Sequence, residues 1–135
     1  MKRDNKSASP ATPATPTTPP PPAWLSESAK ETWCELAPLL ASEGRLEKIH
    51  ERAFTCYCTA CGMMTDAAAA IARDGATVKG RRGGKVRHPA CAVWNSASQQ
   101  VLAFGKLFGL SPASRARLDK LAPVRITKPN RFANL

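Results

Sequence analysis

A long helical pattern dominates the middle of the chain. Apolar residues recur three and four positions apart from about Leu46 to Arg73, which is the spacing of one helix face. These residues are Leu46, Ile49, Ala53, Tyr57, Ala60, Met64, Ala67 and Ile71. The second half of the segment is rich in alanine, and small side chains suit the close approach of another helix. The pattern therefore predicts a mainly α fold built around this helix.

A shorter helix is predicted before it. Ser26 or Ser28 can cap its start, and the sequence from Ser28 to Glu31 fits the capping-box pattern. Its apolar positions follow helical spacing: Ala29, Trp33, Leu36, Ala37 and Leu40. Pro38 is expected to kink this helix or to loosen its middle, because proline removes a backbone donor.

Two further helices are predicted after Gly75. Pro89 opens the third at a position where proline is tolerated, and Ser111-Pro112 signals a short fourth. The apolar face of the third helix comprises Ala90, Val93, Trp94, Ala97, Val101, Phe104 and Phe108. The predicted fold class is mainly α, with a helical core of about four helices and a small β-hairpin or basic loop between the second and third.

The start of the chain has a different composition. Residues 7–22 are almost wholly Ser, Ala, Thr and Pro, which predicts a disordered, Pro/Thr-rich arm. That arm is either a plain flexible tail or a basic-tipped one that uses Lys2, Arg3 and Lys6 to reach DNA or a partner protein. We thus predict three regions: the arm (1–22), a helical domain (23–122) and a basic irregular tail (123–135).

Charge is distributed unevenly along the chain. Lys and Arg total 20 against 10 acidic residues, a net charge of +10. Residues 24–72 carry seven acidic and four basic side chains, whereas residues 73–88 carry six basic and one acidic. A one-sided basic field attracts polyanions, of which nucleic acid is the commonest for a small domain. No apolar run approaches the roughly 20 residues that span a bilayer, and no secretory signal is expected.

Two basic clusters are the candidate DNA contacts. The first alternates with glycine between the second and third helices and contains Lys79, Arg81, Arg82, Lys85 and Arg87. Glycines let the backbone approach phosphates, and arginine can bind them in a bidentate way. The second contains Arg115, Arg117 and Lys120 on the fourth helix, and Arg125, Lys128 and Arg131 beyond it. The alternative is a solvated basic loop that only improves solubility.

Cysteines raise a zinc-binding alternative. Cys56, Cys58 and Cys61, with Cys91 or His88, could supply four ligands. However, Cys56 and Cys58 diverge by about 200° on a helix, so burial in the core is favoured and no metal or other cofactor is expected. Five cysteines, three of them crowded together, also argue against disulfides and favour a reducing cytoplasm.

Catalysis is not expected. No Ser–His–acid set, paired-carboxylate site or phosphate-cradling loop stands out, and the segment from Gly80 to Gly84 lacks the Gly-Lys-Ser/Thr ending that engages nucleotide.

The ordered part also resembles a known family. The residues that carry the resemblance run in this order: Pro22-Ala23-Trp24-Leu25-Ser26, Ala29-Lys30, Trp33, Leu36, Pro38, Leu40, Gly44-Arg45-Leu46, Tyr57-Cys58, His88-Pro89, Asn95 and Phe108-Gly109-Leu110-Ser111-Pro112-Ala113-Ser114-Arg115. Over about residues 22–118 the chain is similar to the small terminase subunit of tailed phages. Each piece alone is common, but their order and spacing together are fairly specific.

The resemblance implies a function. It implies a helical, non-enzymatic subunit in the host cytoplasm that forms a ring of identical chains, binds double-stranded viral DNA and hands it to the large terminase subunit, which carries the ATPase and nuclease. The alternatives left open by the residues alone are a stand-alone nucleic-acid-binding regulator and a small zinc-stabilised interaction module.

Overall fold

The computed structural model describes residues 17–121. The elements in chain order are α1 (Glu27–Ser42), a 3-10 turn (Lys48–His50), α2 (Glu51–Asp74), β1 (Thr77–Lys79), β2 (Lys85–Arg87), α3 (Pro89–Leu107) and α4 (Pro112–Leu121). The predicted fold class, mainly α with a small hairpin between the second and third helices, is confirmed. The predicted basic positions Lys2, Arg3, Lys6, Arg125, Lys128 and Arg131 lie outside the described residues. No helix within residues 17–121 is both long enough and apolar enough to cross a bilayer.

Helix α1 begins at the first of its two candidate caps. The Ser26 hydroxyl accepts a hydrogen bond from the Ala29 backbone N–H at 3.3 Å, whereas the Ser28 hydroxyl donates to Asp66 at 2.6 Å. The helix continues through Pro38 to Ser42. Pro38 is exposed, as is Cys34 four residues earlier, so the backbone bond that proline removes falls on the solvent side.

Helix α2 is the middle helix of a three-helix layer. Helices α1 and α3 each pack along it, so α2 buries side chains on two sides. The Phe54 ring lies 4.7 Å from the ring of Trp33 on α1. On the other side, Tyr57 approaches Gly105 of α3. The prediction that Ile49 lies on the apolar face is wrong, because Ile49 falls in the 3-10 turn before α2 and is 80% exposed.

The hydrophobic core lies where the three helices overlap. Its buried members are Leu25, Ala29, Trp33, Ala37, Leu40, Phe54, Tyr57, Cys58, Cys61 and Phe108. Phe54 lies at its centre, with ring centroids 6.2 Å from Tyr57 and 5.5 Å from Phe108. The core begins before α1: the Trp33 indole N–H donates to the Pro19 carbonyl at 2.9 Å, inside the predicted arm.

Helices α2 and α3 extend past the start of α1 and form a two-helix arm there. We call residues 66–74 and 89–97, with the hairpin that joins them, the distal arm. Ala67 and Ala97 are the two buried residues of its helical segments, and both are small enough to let the helices approach closely. Val93 and Trp94, predicted on the apolar face, are 39% and 40% exposed there, because no third helix within residues 17–121 covers this part of α3.

Candidate nucleic-acid interface

The hairpin at the end of the distal arm has two unlike faces. Strands β1 and β2 pair antiparallel, with Thr77 opposite Arg87, Val78 opposite Val86 and Lys79 opposite Lys85. Successive side chains of a strand point to opposite faces. The basic residues Lys79, Lys85 and Arg87 therefore share one face, and the two valines share the other.

The tip of the hairpin presents two arginines. The Gly83 N–H donates to the Gly80 carbonyl at 3.0 Å, which closes a turn with Arg81 and Arg82 at its centre. Gly83 has φ +83°, in the left-handed region that favours glycine. A Cβ at Gly80 would lie 2.8 Å from Val86 Cγ1 and 3.1 Å from the Gly84 carbonyl oxygen. The tip is therefore a defined turn in which glycine is needed for space and for backbone conformation.

The five cations of the hairpin are exposed and have no partner within residues 17–121. None of Lys79, Arg81, Arg82, Lys85 and Arg87 forms an ion pair or a side-chain hydrogen bond with another described residue. Like charges directly opposite each other across a strand pair destabilise it, and Lys79 and Lys85 are such a pair. A bound polyanion would relieve this repulsion.

His88 fixes the base of the hairpin, a role that sequence reasoning did not identify. Its backbone N–H donates to the Ala76 carbonyl at 2.8 Å, and its Nδ1 accepts from the Ala90 N–H at 3.0 Å, which caps α3. Because Nδ1 accepts a hydrogen bond, the proton lies on Nε2, which donates to Asp74 at 3.2 Å. One side chain thus ties the end of α2 to the start of α3.

Asp74 is held in its ionised form. The Arg73 guanidinium, which donates to both carboxylate oxygens at 3.0 Å, and then His88 lower the pKa of Asp74 from 3.8 to about 2. The carboxylate needed at the hairpin base is therefore charged throughout the physiological range.

This lowered pKa predicts an acid-sensitive contribution to stability. A carboxyl whose folded pKa is depressed stabilises the fold fully above its unfolded pKa, 3.8, and loses that contribution as pH falls through about 2. At pH 5 to 7 the wild type should therefore have a higher melting temperature than Asp74→Asn. The two melting temperatures should converge near pH 2. Thermal denaturation followed by circular dichroism checks this. A gap that persisted undiminished at pH 2 would contradict it.

The second basic cluster does not form one surface. Arg115 binds Glu43 at 3.0 Å, and Arg45, which also contacts Glu43, binds Asp119 at 3.0 Å. These ion pairs hold α4 against the end of α1. Arg117 and Lys120 share another face of α4, because they lie three residues apart on the helix.

Arg117 lines a groove between the end of α3 and α4. The groove encloses about 440 Å³, its apolar floor includes Leu107, Leu118 and Leu121, and Lys106 also lines it. Within residues 17–121 neither Arg117 nor Lys120 forms an ion pair.

The structure separates the two basic clusters. The hairpin joins the start of α3, and α4 follows its end. With 19 residues and a rise of about 1.5 Å per residue, α3 places them roughly 27 Å apart along its axis. Residues 89–105, between the two clusters, contain no Lys or Arg, so no continuous row of cations along α3 joins Arg82 to Arg117.

The cysteines lie in different environments. Cys58 and Cys61 are buried in the core, whereas Cys56 is exposed. Burial raises the pKa of Cys58 to about 12, so its thiol stays protonated at neutral pH, and the thiolate is the form that binds zinc. Within residues 17–121 no three His, Cys, Asp or Glu side chains are grouped so that they could hold a metal ion.

Comparison with known protein families identifies a match over most of the described residues. The sequence model of a protein family described as "Phage terminase, small subunit" matches residues 29–123. That span contains α1 to α4 except for the first two residues of α1, and it includes the whole basic hairpin. Neither the search of curated proteins nor that of solved structures returned a match.

Proposed function

The chain belongs to the phage terminase small-subunit family, which acts in the packaging of phage DNA, and we propose that it binds double-stranded viral DNA through the β1–β2 hairpin. In this proposal the chains assemble into a ring in the host cytoplasm that recognises the genome and regulates the large terminase subunit. In the same proposal this subunit acts without catalysing a reaction, and the ATPase and nuclease belong to the large subunit.

One observation carries the DNA-binding proposal: five exposed cations without described partners lie on a short ribbon with a defined turn. A two-stranded ribbon fits the major groove of B-DNA, which is about 12 Å wide. Arg81 and Arg82 at the turn would enter first. Lys79, Lys85 and Arg87 on one face of the ribbon would then reach the phosphates of the groove wall. Phosphate contacts of this kind fix the position of a protein on the duplex, and base contacts add sequence preference.

The distal arm keeps the acidic part of the protein away from DNA. Glu27, Glu31 and Glu35 recur four residues apart on α1, which packs on the first half of α2. The start of α1 lies beside Gly62, and from there to Asp74 α2 extends about 18 Å at 1.5 Å per residue. That distance exceeds the Debye length of about 8 Å at physiological ionic strength, so the carboxylates repel the phosphates only weakly.

Removing cations from the hairpin should weaken DNA binding and reduce its dependence on salt. The variant Arg81→Ala/Arg82→Ala/Lys85→Ala loses up to three phosphate contacts. Each contact contributes about 0.9 to the slope of log K against log salt concentration, so the slope should become shallower by up to about 2.7. Affinity near 0.1 M salt should fall at least about tenfold. Fluorescence anisotropy with a labelled duplex at several salt concentrations measures both quantities.

The chain offers a control with the same change in net charge. Lys48→Ala/Arg52→Ala/Lys106→Ala also removes three exposed cations, none of which belongs to either basic cluster. Its affinity and salt slope should stay near those of the wild type. Equal losses in the two variants would show that net charge, and not the hairpin, governs binding, and an unchanged hairpin variant would reject the hairpin as the contact site.

A further inference from the structure

Helix α3 is exposed along most of its length and yet carries almost no charge. Residues 89–105 contain no Asp, Glu, Lys or Arg, in a chain of which 22% is charged. Between Ala53 and Ala72, α2 contains a single charged residue, Asp66, and it accepts a hydrogen bond from Ser28. Surfaces of soluble domains are typically about 25–35% charged, whereas the centres of protein interfaces are depleted of charge. The two longest helices therefore have the composition of a covered surface.

One broad face of the helical layer is centred on Leu102. Leu102 is 68% exposed, and Trp94, eight residues earlier on the same side of α3, is 40% exposed. Ser98 lies between them, one turn before Leu102. We call this the Leu102 face.

The opposite broad face is centred on Met63. Met63 is 46% exposed and lies on α2, one turn after Thr59. Thr59, Trp24, Gln100 and Phe104 line a cavity of about 460 Å³. Trp24 is 71% exposed. We call this the Met63 face.

The two faces lie on opposite sides of the layer. Val93, seven residues before Gln100, belongs to the Met63 face and is nine residues from Leu102. Nine residues at about 100° each place Val93 and Leu102 roughly 180° apart around α3. The described residues thus form two different faces that carry few charges, each with exposed large apolar side chains.

We propose that the Leu102 face of one copy of this chain packs against the Met63 face of the next copy. This assignment rests on the proposed ring and names the surfaces that would form it. Two unlike faces that meet head to tail make a heterologous contact, which generates a ring when the rotation closes. The low charge of both faces lets chains of net charge +10 approach each other, while the five hairpin cations stay at the end of the distal arm.

The available area suits such a contact. Helix α3 is about 27 Å long, and two packed helices are about 20 Å wide, so each face offers on the order of 540 Å² in projection. The accessible surface of projecting side chains adds to this, and a stable interface buries about 800 Å² per partner. Among the described residues each face borders one exposed cation, Lys106 one turn after Leu102 and Arg52 beside Trp24. Single cations do not form the cluster of phosphate contacts that a DNA site needs.

The test uses one charged substitution on each face. Leu102→Glu and Met63→Glu both alter exposed positions, so the fold should survive, as circular dichroism can show. Native mass spectrometry of the wild type should give a discrete oligomer, and each variant alone should give the single-chain mass, 14.5 kDa. An equimolar mixture should give a two-chain species and nothing larger, because the intact Met63 face of one variant binds the intact Leu102 face of the other.

Matched controls separate this inference from the proposed function. Ala116→Glu introduces the same charge at an exposed position on α4, away from the α2 and α3 surfaces that form both faces, and should keep the wild-type mass. The hairpin triple variant should keep that mass as well. If the wild type is an oligomer and the two face variants retain its mass, the face assignment fails while the ring stands. If either variant alone forms dimers, the contact joins like faces and the head-to-tail arrangement is wrong.

Two further results would also overturn the proposal. A single-chain wild type at all concentrations would overturn both the ring and the interface. If the wild type is a single chain and Leu102→Glu melts at a lower temperature than the wild type, the Leu102 face is covered within its own chain.

Discussion

Replacing Phe54 with alanine is expected to lower the free energy of unfolding by about 3–5 kcal/mol. Phe54 is completely buried, and its ring contacts Trp33 of α1, Tyr57 of α2 and Phe108 at the end of α3. The variant loses the transfer free energy of the ring and leaves a cavity that three helices border. Because small domains are stable by only about 5–15 kcal/mol, much of the total stability would be lost. Urea denaturation followed by circular dichroism gives the value.

An exposed position provides the control for this experiment. Ile49, in the 3-10 turn before α2, is 80% exposed, so Ile49→Ala should change the free energy of unfolding by no more than about 0.5 kcal/mol. A loss below about 1 kcal/mol for Phe54→Ala would contradict a core in which all three helices meet at this ring.

Local signals in the sequence were sufficient to predict the elements after α2. Asp74-Gly75, the glycine-spaced basic segment, Pro89 and Ser111-Pro112 each act within a few residues of where they stand. Helix α2 ends at Asp74, α3 begins at Pro89 and α4 begins at Pro112. These signals depend on backbone chemistry, which does not change with the tertiary contacts.

The burial pattern of α2 could not be predicted in the same way. A single periodic face was expected, and its members Tyr57, Ala60 and Ala67 are buried. Phe54 and Cys58 are buried as well, on the side toward α1, because α2 lies between two helices. Hydrophobic periodicity identifies one face most clearly when the other is polar. A helix covered on both sides carries apolar residues around most of its surface, so its second contact shows only in three dimensions.

The candidate site was partly predictable. Clustered Arg and Lys residues with glycine between them indicated a basic hairpin or loop, and the hairpin is present with its cations exposed. The contribution of His88 and Asp74 at its base was not predictable, because they are 14 residues apart and meet only when α2 and α3 run antiparallel. Arg45 and Asp119 are 74 residues apart in the sequence and likewise meet only in the folded chain, where their ion pair attaches α4.

Replacing Gly62 with alanine should destabilise the protein, although alanine is the better helix former. A Cβ at Gly62 would lie 2.9 Å from the Ala29 backbone nitrogen and 2.9 Å from the Ser26 hydroxyl, which caps α1. One of these atoms belongs to the backbone, so α1 would have to move away from α2. Overpacking of this kind typically costs 1–3 kcal/mol, against a gain of about 1 kcal/mol in helix propensity. We expect a net loss of about 1–2 kcal/mol in the free energy of unfolding, measured by urea denaturation.

The same substitution at Gly105 should have the opposite sign. A Cβ there would meet Tyr57 at 3.6 Å, an ordinary van der Waals distance, so the helix-propensity gain should remain. Gly105→Ala is therefore expected to stabilise the protein by about 0.5–1 kcal/mol. The two variants share the chemical change, the helical setting and burial, and they differ in what the new methyl group meets. If both stabilised the protein, the close approach of α1 to α2 at Gly62 would be refuted, and with it the anchoring of α1 beside the start of the distal arm.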